Sequence, residues 1–169
     1  VMREVLKLLS ERLMASVHIN TSLPEHLWTF AGDSTQIQQV LLNLLLNARD
    51  AMPGGGTVTI SARNVTLRAV DIPEPDVPAG AYLQIEVRDT GHGIPAEHLD
   101  KIFDPFFTTK PIGKGTGMGL SISYKIIQQH GGMILVDSEQ GAGTVFSILL
   151  PIRAPEQAAI ESDDLLLVA

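Results

Sequence analysis

The sequence predicts an α+β protein, a two-layer sandwich in which helices cover one face of a mixed, mainly antiparallel sheet. Three observations lead there. Residues from Ala81 to Asp89 alternate apolar and polar, the period-two pattern of a half-buried strand. Between Asp33 and the Pro53-Gly54-Gly55-Gly56 breaker lies one long stretch, apolar outside a single polar stripe, that reads as a helix. The predicted segments follow one another as helix, strands, helix, strands, helices, strands, the order expected of helices and antiparallel strands in separate layers.

Each element has its own signal. Val5, Leu8, Leu9 and Leu13 are spaced for a helix over Val1 to Met14. Val17, Ile19, Thr21 and Leu23 alternate as a strand, with a short partner expected around Trp28 to Ala31. Asp33 is placed to cap the long helix, and Gln36, three residues on, completes the pattern of a capping box. Thr57 to Asn64 reads as a strand, and Leu67 to Gly80, with three prolines, as a loop. Pro95 to Phe103 fits a short helix with proline in its first turn. Asp104 to Gly119 is rich in glycine and threonine and is expected to be mobile. Leu120 to Gln129 is a helix stopped by Gly131-Gly132. Met133 to Ser138 and Thr144 to Leu150 form a hairpin. The tail after Pro151 turns acidic and ends in Leu165-Leu166-Leu167-Val168-Ala169.

Composition narrows the functional classes. At 169 residues the chain can build one self-sufficient core. A net charge of −7 argues against nucleic acid as a partner, since backbone phosphates would be repelled. With no cysteine, disulfides, thiolate metal sites and cysteine nucleophiles all drop out. The longest apolar run, Val40 to Leu46, is short for a membrane span and is interrupted by Asn43. The first residues do not make a signal peptide, so a cytoplasmic domain is expected, with any membrane anchor of the parent protein outside this stretch.

Five segments stand out as candidates for function. On the long helix, with Asn43 taken as origin, Gln36, Gln39, Asn47 and Asp50 fall within about 40° of it. This stripe needs partners: either structural hydrogen bonds to loops, or a hard cation such as Mg²⁺ on an amide oxygen. At the end of the Ala81–Asp89 strand, Asp89 shares a face with Leu83, Ile85 and Val87, which turns its carboxylate toward the core. It then has to meet a donor. A purine amino group is one, with Gly91 and Gly93 admitting a flat ring; an aspartate capping its own tight turn is the plainer alternative. The run Gly113-Lys114-Gly115-Thr116-Gly117-Met118-Gly119-Leu120 opens into a helix whose free N–H groups suit phosphate, unless it is only a flexible linker. It is neither a Walker A loop nor a Rossmann fingerprint. Phe103-Asp104-Pro105-Phe106-Phe107 holds three of the five phenylalanines and is either a hydrophobic anchor or a latch beside that run. Gly141-Ala142-Gly143-Thr144 is a hairpin turn whose hydroxyl could reach a ligand.

In order and spacing these segments resemble the boxes of the histidine-kinase ATPase domain, in the superfamily shared with gyrase, Hsp90 and MutL. Asn43-Leu-Leu-Leu-Asn47-Ala-Arg-Asp50-Ala resembles the N box and Asp89-x-Gly91-x-Gly93 the first glycine box. Phe103 to Phe107 resembles the F box, Gly115-Thr-Gly117-Met-Gly119-Leu the second glycine box, and Gly141-x-Gly143-Thr144 the last. The resemblance covers roughly Val1 to Pro151, and Phe-Phe-Thr-Thr-Lys110 is most similar to the nitrogen-regulation and oxygen-sensing kinases.

The resemblance implies the Bergerat sandwich, ATP and Mg²⁺. It implies that Asn47 coordinates Mg²⁺ with Asn43 nearby, both counted as catalytic, and that Asp50 lines the pocket. Asp89 is expected to accept the adenine amino group, with Gly91, Gly93, Ile94 and Thr144 around the base. Lys110 is expected to approach the phosphates, and Gly115, Thr116, Gly117, Met118, Gly119 and Leu120 to form the lid and helix start below them. Gyrase and Hsp90 relatives place a glutamate base where Asn43 stands; an amide cannot take a proton from water, which favours a kinase over a hydrolase. None of His18, His26, His92, His98 and His130 lies in an acceptor motif, so all five are assigned to surface or structural roles. The acceptor histidine is expected on an upstream dimerisation domain, joined through residues 1–14, with the catalytic domain over 15–152. Residues 153–169 are expected to be a linker, and Asp163-Asp164-Leu-Leu-Leu-Val-Ala resembles the first strand of a response-regulator receiver, which would make the parent a hybrid kinase; the family resemblance separately implies a homodimeric parent and a receiver partner in the same or another chain. Two alternatives of other classes are an ATP-hydrolysing clamp of the gyrase or MutL type and a degenerate nucleotide-binding module that transfers nothing.

Overall fold

In the computed structural model, residues 16–68, 78–111 and 115–152 are described. The expected helical join at 1–14 and the linker and receiver start at 153–169 lie outside them. Strands β1 (Val17–Ser22), β2 (Gly56–Leu67), β3 (Gly80–Asp89), β4 (Met133–Glu139) and β5 (Gly143–Pro151) form one sheet in the order β1-β2-β3-β5-β4. Only β1 and β2 run parallel; every other pairing is antiparallel. Helix α1 (Ser34–Asp50) connects the parallel pair, the one-turn helix α2 (Ala96–Leu99) follows β3, and α3 (Gly119–Gln129) precedes β4.

The core is where the alternation put it. Val58, Ile60 and Ala62 of β2, Leu83, Ile85 and Val87 of β3, and Phe146, Ile148 and Leu150 of β5 point to one face. Against it lie Ile37, Val40, Leu41, Leu44, Leu45 and Ala48 of α1, with Ile126 and Ile127 of α3. Each of the larger side chains among them, fully buried, contributes roughly 1.5–3 kcal/mol, which is why a helix carrying so many of them is fixed on the sheet. The polar stripe of α1 is not swallowed by this core: Asn43 and Asn47 are half-buried and Gln39 is exposed. A smaller cluster of Tyr82, Met133 and Leu149 lies on the opposite face of the sheet.

Several local expectations change. Trp28 to Ala31 makes no strand. Its chain is held by one side chain instead, because Asn64 Oδ1 accepts from the Trp28 N–H (2.8 Å) and Asn64 Nδ2 donates to the His26 carbonyl (3.0 Å). Asp33 does cap α1, its Oδ1 accepting from the Thr35 N–H at 2.8 Å. The return bond of a capping box is absent, since the Asp33 N–H donates to His130 Nε2 (3.1 Å) rather than to Gln36. The helix expected over Pro95 to Phe103 closes after one turn at Leu99 and continues as turns. Among the described residues no helix is long and apolar enough to cross a membrane.

Candidate functional site

The last turns of α1, the turn after β3, residues 107–111 and 115–120 and the β4–β5 hairpin enclose a cavity of about 760 Å³. That is within the range of small-molecule sites, roughly 300–1,000 Å³. Of the expected site residues, Asn43, Asn47, Asp50, Asp89, Gly93, Ile94, Lys110, Gly115, Thr116, Gly117, Gly119, Leu120 and Thr144 all line it. Asp89 and Asn47, 42 positions apart by their numbers, therefore open onto one space. Gly91 and Met118 are not in the wall. Gly91 stands behind it, donating its N–H to Asp89 Oδ1, and Met118 uses its carbonyl to accept from Ser121 Oγ and the Ile122 N–H.

Asp89 ends β3 on the core face and is only 6% exposed. Its Oδ1 accepts from the Gly91 N–H at 2.8 Å, so it does cap its own turn while facing the cavity. Burial pushes its carboxyl above the ordinary value of 3.8, against the lowering effect of the Gly91 and Thr144 backbone N–H groups and of His92. Opposite Asp89 in the ladder stands Thr144, whose hydroxyl meets Ser138 Oγ at 2.9 Å. Ser138 also accepts from the Ile94 N–H (2.9 Å), and so ties the turn to the hairpin.

Glycine in this turn serves a purpose other than ring access. At Gly93 (φ 69°) a Cβ would stand 2.0 Å from the Glu139 carbonyl oxygen, and at Gly143 (φ 104°) 2.1 Å from that of Asp89. Two backbones pass too closely for any side chain, and the His92 carbonyl accepts from the Gly141 N–H (2.7 Å) at the same junction. The close packing sets the floor under Asp89.

The α1 wall carries the other polar groups. Asn43 Nδ2 donates to the Gly119 carbonyl (3.1 Å) and Ser123 Oγ (3.2 Å), which fastens α1 to the first turn of α3. Lys110 Nζ donates to Asn47 Oδ1 (3.1 Å) and Asp50 Oδ2 (2.7 Å). Arg49 Nη2 holds the other oxygen of Asp50 at 2.6 Å. Burial raises the Asp50 carboxyl, but the hydrogen bonds and charges of Lys110 and Arg49 outweigh it and hold the group below 3.8. Lys114 lies outside the described residues.

Two histidines assigned to surface or structural roles, His92 and His98, line the cavity, along with Gln140. His98 packs edge-on against Phe107, ring centroids 5.5 Å apart. His92 falls at a variable position of the first glycine box and His98 on the one-turn helix α2, and neither has a spacing partner that marks it for the cavity. His130 is structural as expected, bridging Asp33 and the Ile126 carbonyl (2.8 Å). The segment around Phe106 is joined to the glycine run where the Phe106 N–H donates to the Gly117 carbonyl at 3.0 Å.

The family described as histidine kinase-, DNA gyrase B- and HSP90-like ATPase matches residues 32–154. The chain belongs to that family. Sensor kinase CckA of Brucella abortus is 47% identical over 156 residues, 91% of this chain and 16% of its own length. Sensor histidine kinase ZraS of Escherichia coli is 40% identical over 134 residues, 79% of this chain and 24% of its own length. Among solved structures, the catalytic domain of histidine kinase ThkA is 33% identical with a TM-score of 0.69, over 88% of both chains. The chain thus corresponds to the catalytic, ATP-binding domain of sensor histidine kinases, and spans about a sixth to a quarter of the length of these two curated relatives. Members of this family bind ATP, generally with Mg²⁺. The five-stranded sheet under its helices is the family's fold.

Proposed function

We propose that this domain binds Mg-ATP in the cavity and transfers the γ-phosphoryl group to a histidine on a dimerisation domain outside this chain. The observation that carries the reading is that a buried carboxylate and a helix amide open onto one cavity. Asp89 accepts the exocyclic amino group of adenine, with Gly93, Ile94 and Thr144 around the ring and Gly91 holding the other side of the carboxylate from behind. The backbone of Gly115, Gly117, Gly119 and Leu120 and the Thr116 hydroxyl face the phosphates at the N-terminal end of α3.

The donors present fit a divalent ion. Asn47 Oδ1 and Asp50 Oδ2 are hard oxygens, and both already accept from one cation, the Lys110 ammonium. Asn47, with Asp50 beside it, would hold such an ion, which would supply charge neutralisation for the phosphates. Lys110 adds positive charge next to them, which an acidic domain needs locally to hold a polyanion. Asn43 stands where a hydrolase would need a base. Its Nδ2 is committed to Gly119 and Ser123, and an amide accepts no proton from water. The γ-phosphoryl group therefore waits for the histidine nucleophile. By the same reading the parent protein is a homodimer that passes the group on to a receiver domain, within the same chain or on another protein.

Mixed with Mg-ATP and a dimerisation hairpin carrying the acceptor histidine, the chain is expected to label that hairpin with acid-labile phosphate. No label despite nucleotide binding would overturn the transfer, and rapid ATP hydrolysis by the chain alone would favour a clamp-type ATPase.

A further inference from the structure

Asp50 uses its two oxygens on different partners. Oδ1 accepts from Arg49 Nε (2.9 Å) and Nη2 (2.6 Å), and Oδ2 from Lys110 Nζ (2.7 Å). The same ammonium donates to Asn47 Oδ1 at 3.1 Å. One positive charge thus bridges an amide oxygen and a carboxylate oxygen on a single face of α1, from a residue 60 positions away from Asp50 in sequence. The reach of Lys110 is directed by packing: a Cβ at Gly115 would come within 3.1 Å of Lys110 Cβ and 3.2 Å of its Cδ. The lysine stem is threaded along that glycine into the cavity, its side chain one-third exposed.

An ammonium is a compact point charge with three rotatable donors, the nearest thing a protein has to a small cation. Amide and carboxylate oxygens are also what Mg²⁺ and its relatives prefer. Two cations cannot share these oxygens, since at contact distance in a partly screened site their repulsion exceeds what one hydrogen bond returns.

We infer that Asn47 Oδ1 and Asp50 Oδ2 form a two-oxygen cation subsite, which the Lys110 ammonium fills in the nucleotide-free domain and vacates for the divalent ion. On leaving, the ammonium has the incoming phosphate oxygens as its next acceptors, so the exchange is most favourable when the divalent ion arrives with the polyanion. The inference rests on the reading of Asn47 as a metal ligand and adds Asp50 as a second donor and Lys110 as the internal occupant.

The test is a Mn²⁺ titration of the nucleotide-free chain, read by paramagnetic broadening of the Asn47 side-chain amide signals. Lys110→Met is expected to bind Mn²⁺ roughly five- to tenfold more tightly than the wild type, the factor expected for removing one charged hydrogen-bonded competitor. Lys125→Met, an equal charge change at an exposed site on α3, is expected to leave the affinity unchanged. The Lys110→Met/Asp50→Asn double variant is expected to lose the gain. Equal Mn²⁺ affinity in the wild type and Lys110→Met, with broadening at Asn47 in both, overturns the exchange while leaving Asn47 as a ligand. Equal gains from Lys110→Met and Lys125→Met overturn it as well, by showing a general charge effect. No broadening at Asn47 in any variant, with or without ATP, overturns both the exchange and the metal reading.

Discussion

Asp89 is costly to the fold in the absence of a ligand. A carboxyl that burial raises above 3.8 binds its proton more tightly in the native than in the unfolded chain. Native stability accordingly falls as pH rises from 3.8 through the raised value, and the cost is fully present above it. Asp89→Asn has no such titration, so the difference in unfolding free energy, variant minus wild type, is expected to move in the variant's favour across that interval. A pH-independent difference would contradict this. Asp50 has the opposite sign: its depressed carboxyl stabilises above 3.8, and the contribution is lost as pH falls through its lower native value. Phe106 shows strain of another kind. It is the one described non-glycine residue at positive φ (69°), and it is 74% exposed, so its ring returns little for a backbone cost of about 1 kcal/mol. Phe106→Gly is expected to leave the thermal midpoint unchanged or raise it. Phe107, which packs on the core, is expected to lower it on the same substitution, and equal losses at the two positions would contradict the assignment.

Helices α1 and α3 are joined by side chains at both ends of their contact. Near the cavity Asn43 reaches Gly119 and Ser123. At the far end the His130 ring accepts from the Asp33 N–H and pairs with the Ile126 carbonyl, with Gly32 so close that a Cβ there would strike the ring at 2.4 Å. His130→Ala removes both bonds and is expected to cost about 1–2 kcal/mol, a fall of a few degrees in the thermal midpoint. An unchanged midpoint would mean that water replaces the imidazole. This clamp could not be read from the sequence. The capping pattern at Asp33 and Gln36 was visible, but the competing acceptor sits 97 residues further along, and no local rule weighs it. The Trp28 segment fails as a strand for the same reason, since the partner that settles it is Asn64. Elements fixed by their own periodicity, such as α1, β3 and the β4–β5 hairpin, appear within a residue or two of the expected bounds.

At the scale of the whole molecule, the sheet order places β3 between β2 and β5, so that the end of β3 lies beside the hairpin and below the C-terminal turns of α1. The boxes of the site were legible because each demands particular residue types: an acid on a core face, an amide stripe, glycines where backbones cross. Their convergence was legible only through the family's pattern, as nothing within 89–93 announces a helix ending at Asp50. The partners of Lys110, and the cavity faces of His92 and His98, were not legible at all, because long-range side-chain pairing leaves no periodic trace. The central claim is that Asp89 and Asn47 hold opposite ends of one nucleotide. Calorimetric titration of ADP into the wild type, Asp89→Asn and Asn47→Ala, each in Mg²⁺ and in EDTA, tests it directly. Asp89→Asn is expected to weaken binding at least about tenfold in both conditions, the loss of a hydrogen bond to a charged acceptor, while Asn47→Ala removes mainly the increment due to Mg²⁺. Unchanged affinity in Asp89→Asn, or an Asn47→Ala loss equally large in EDTA, would contradict it.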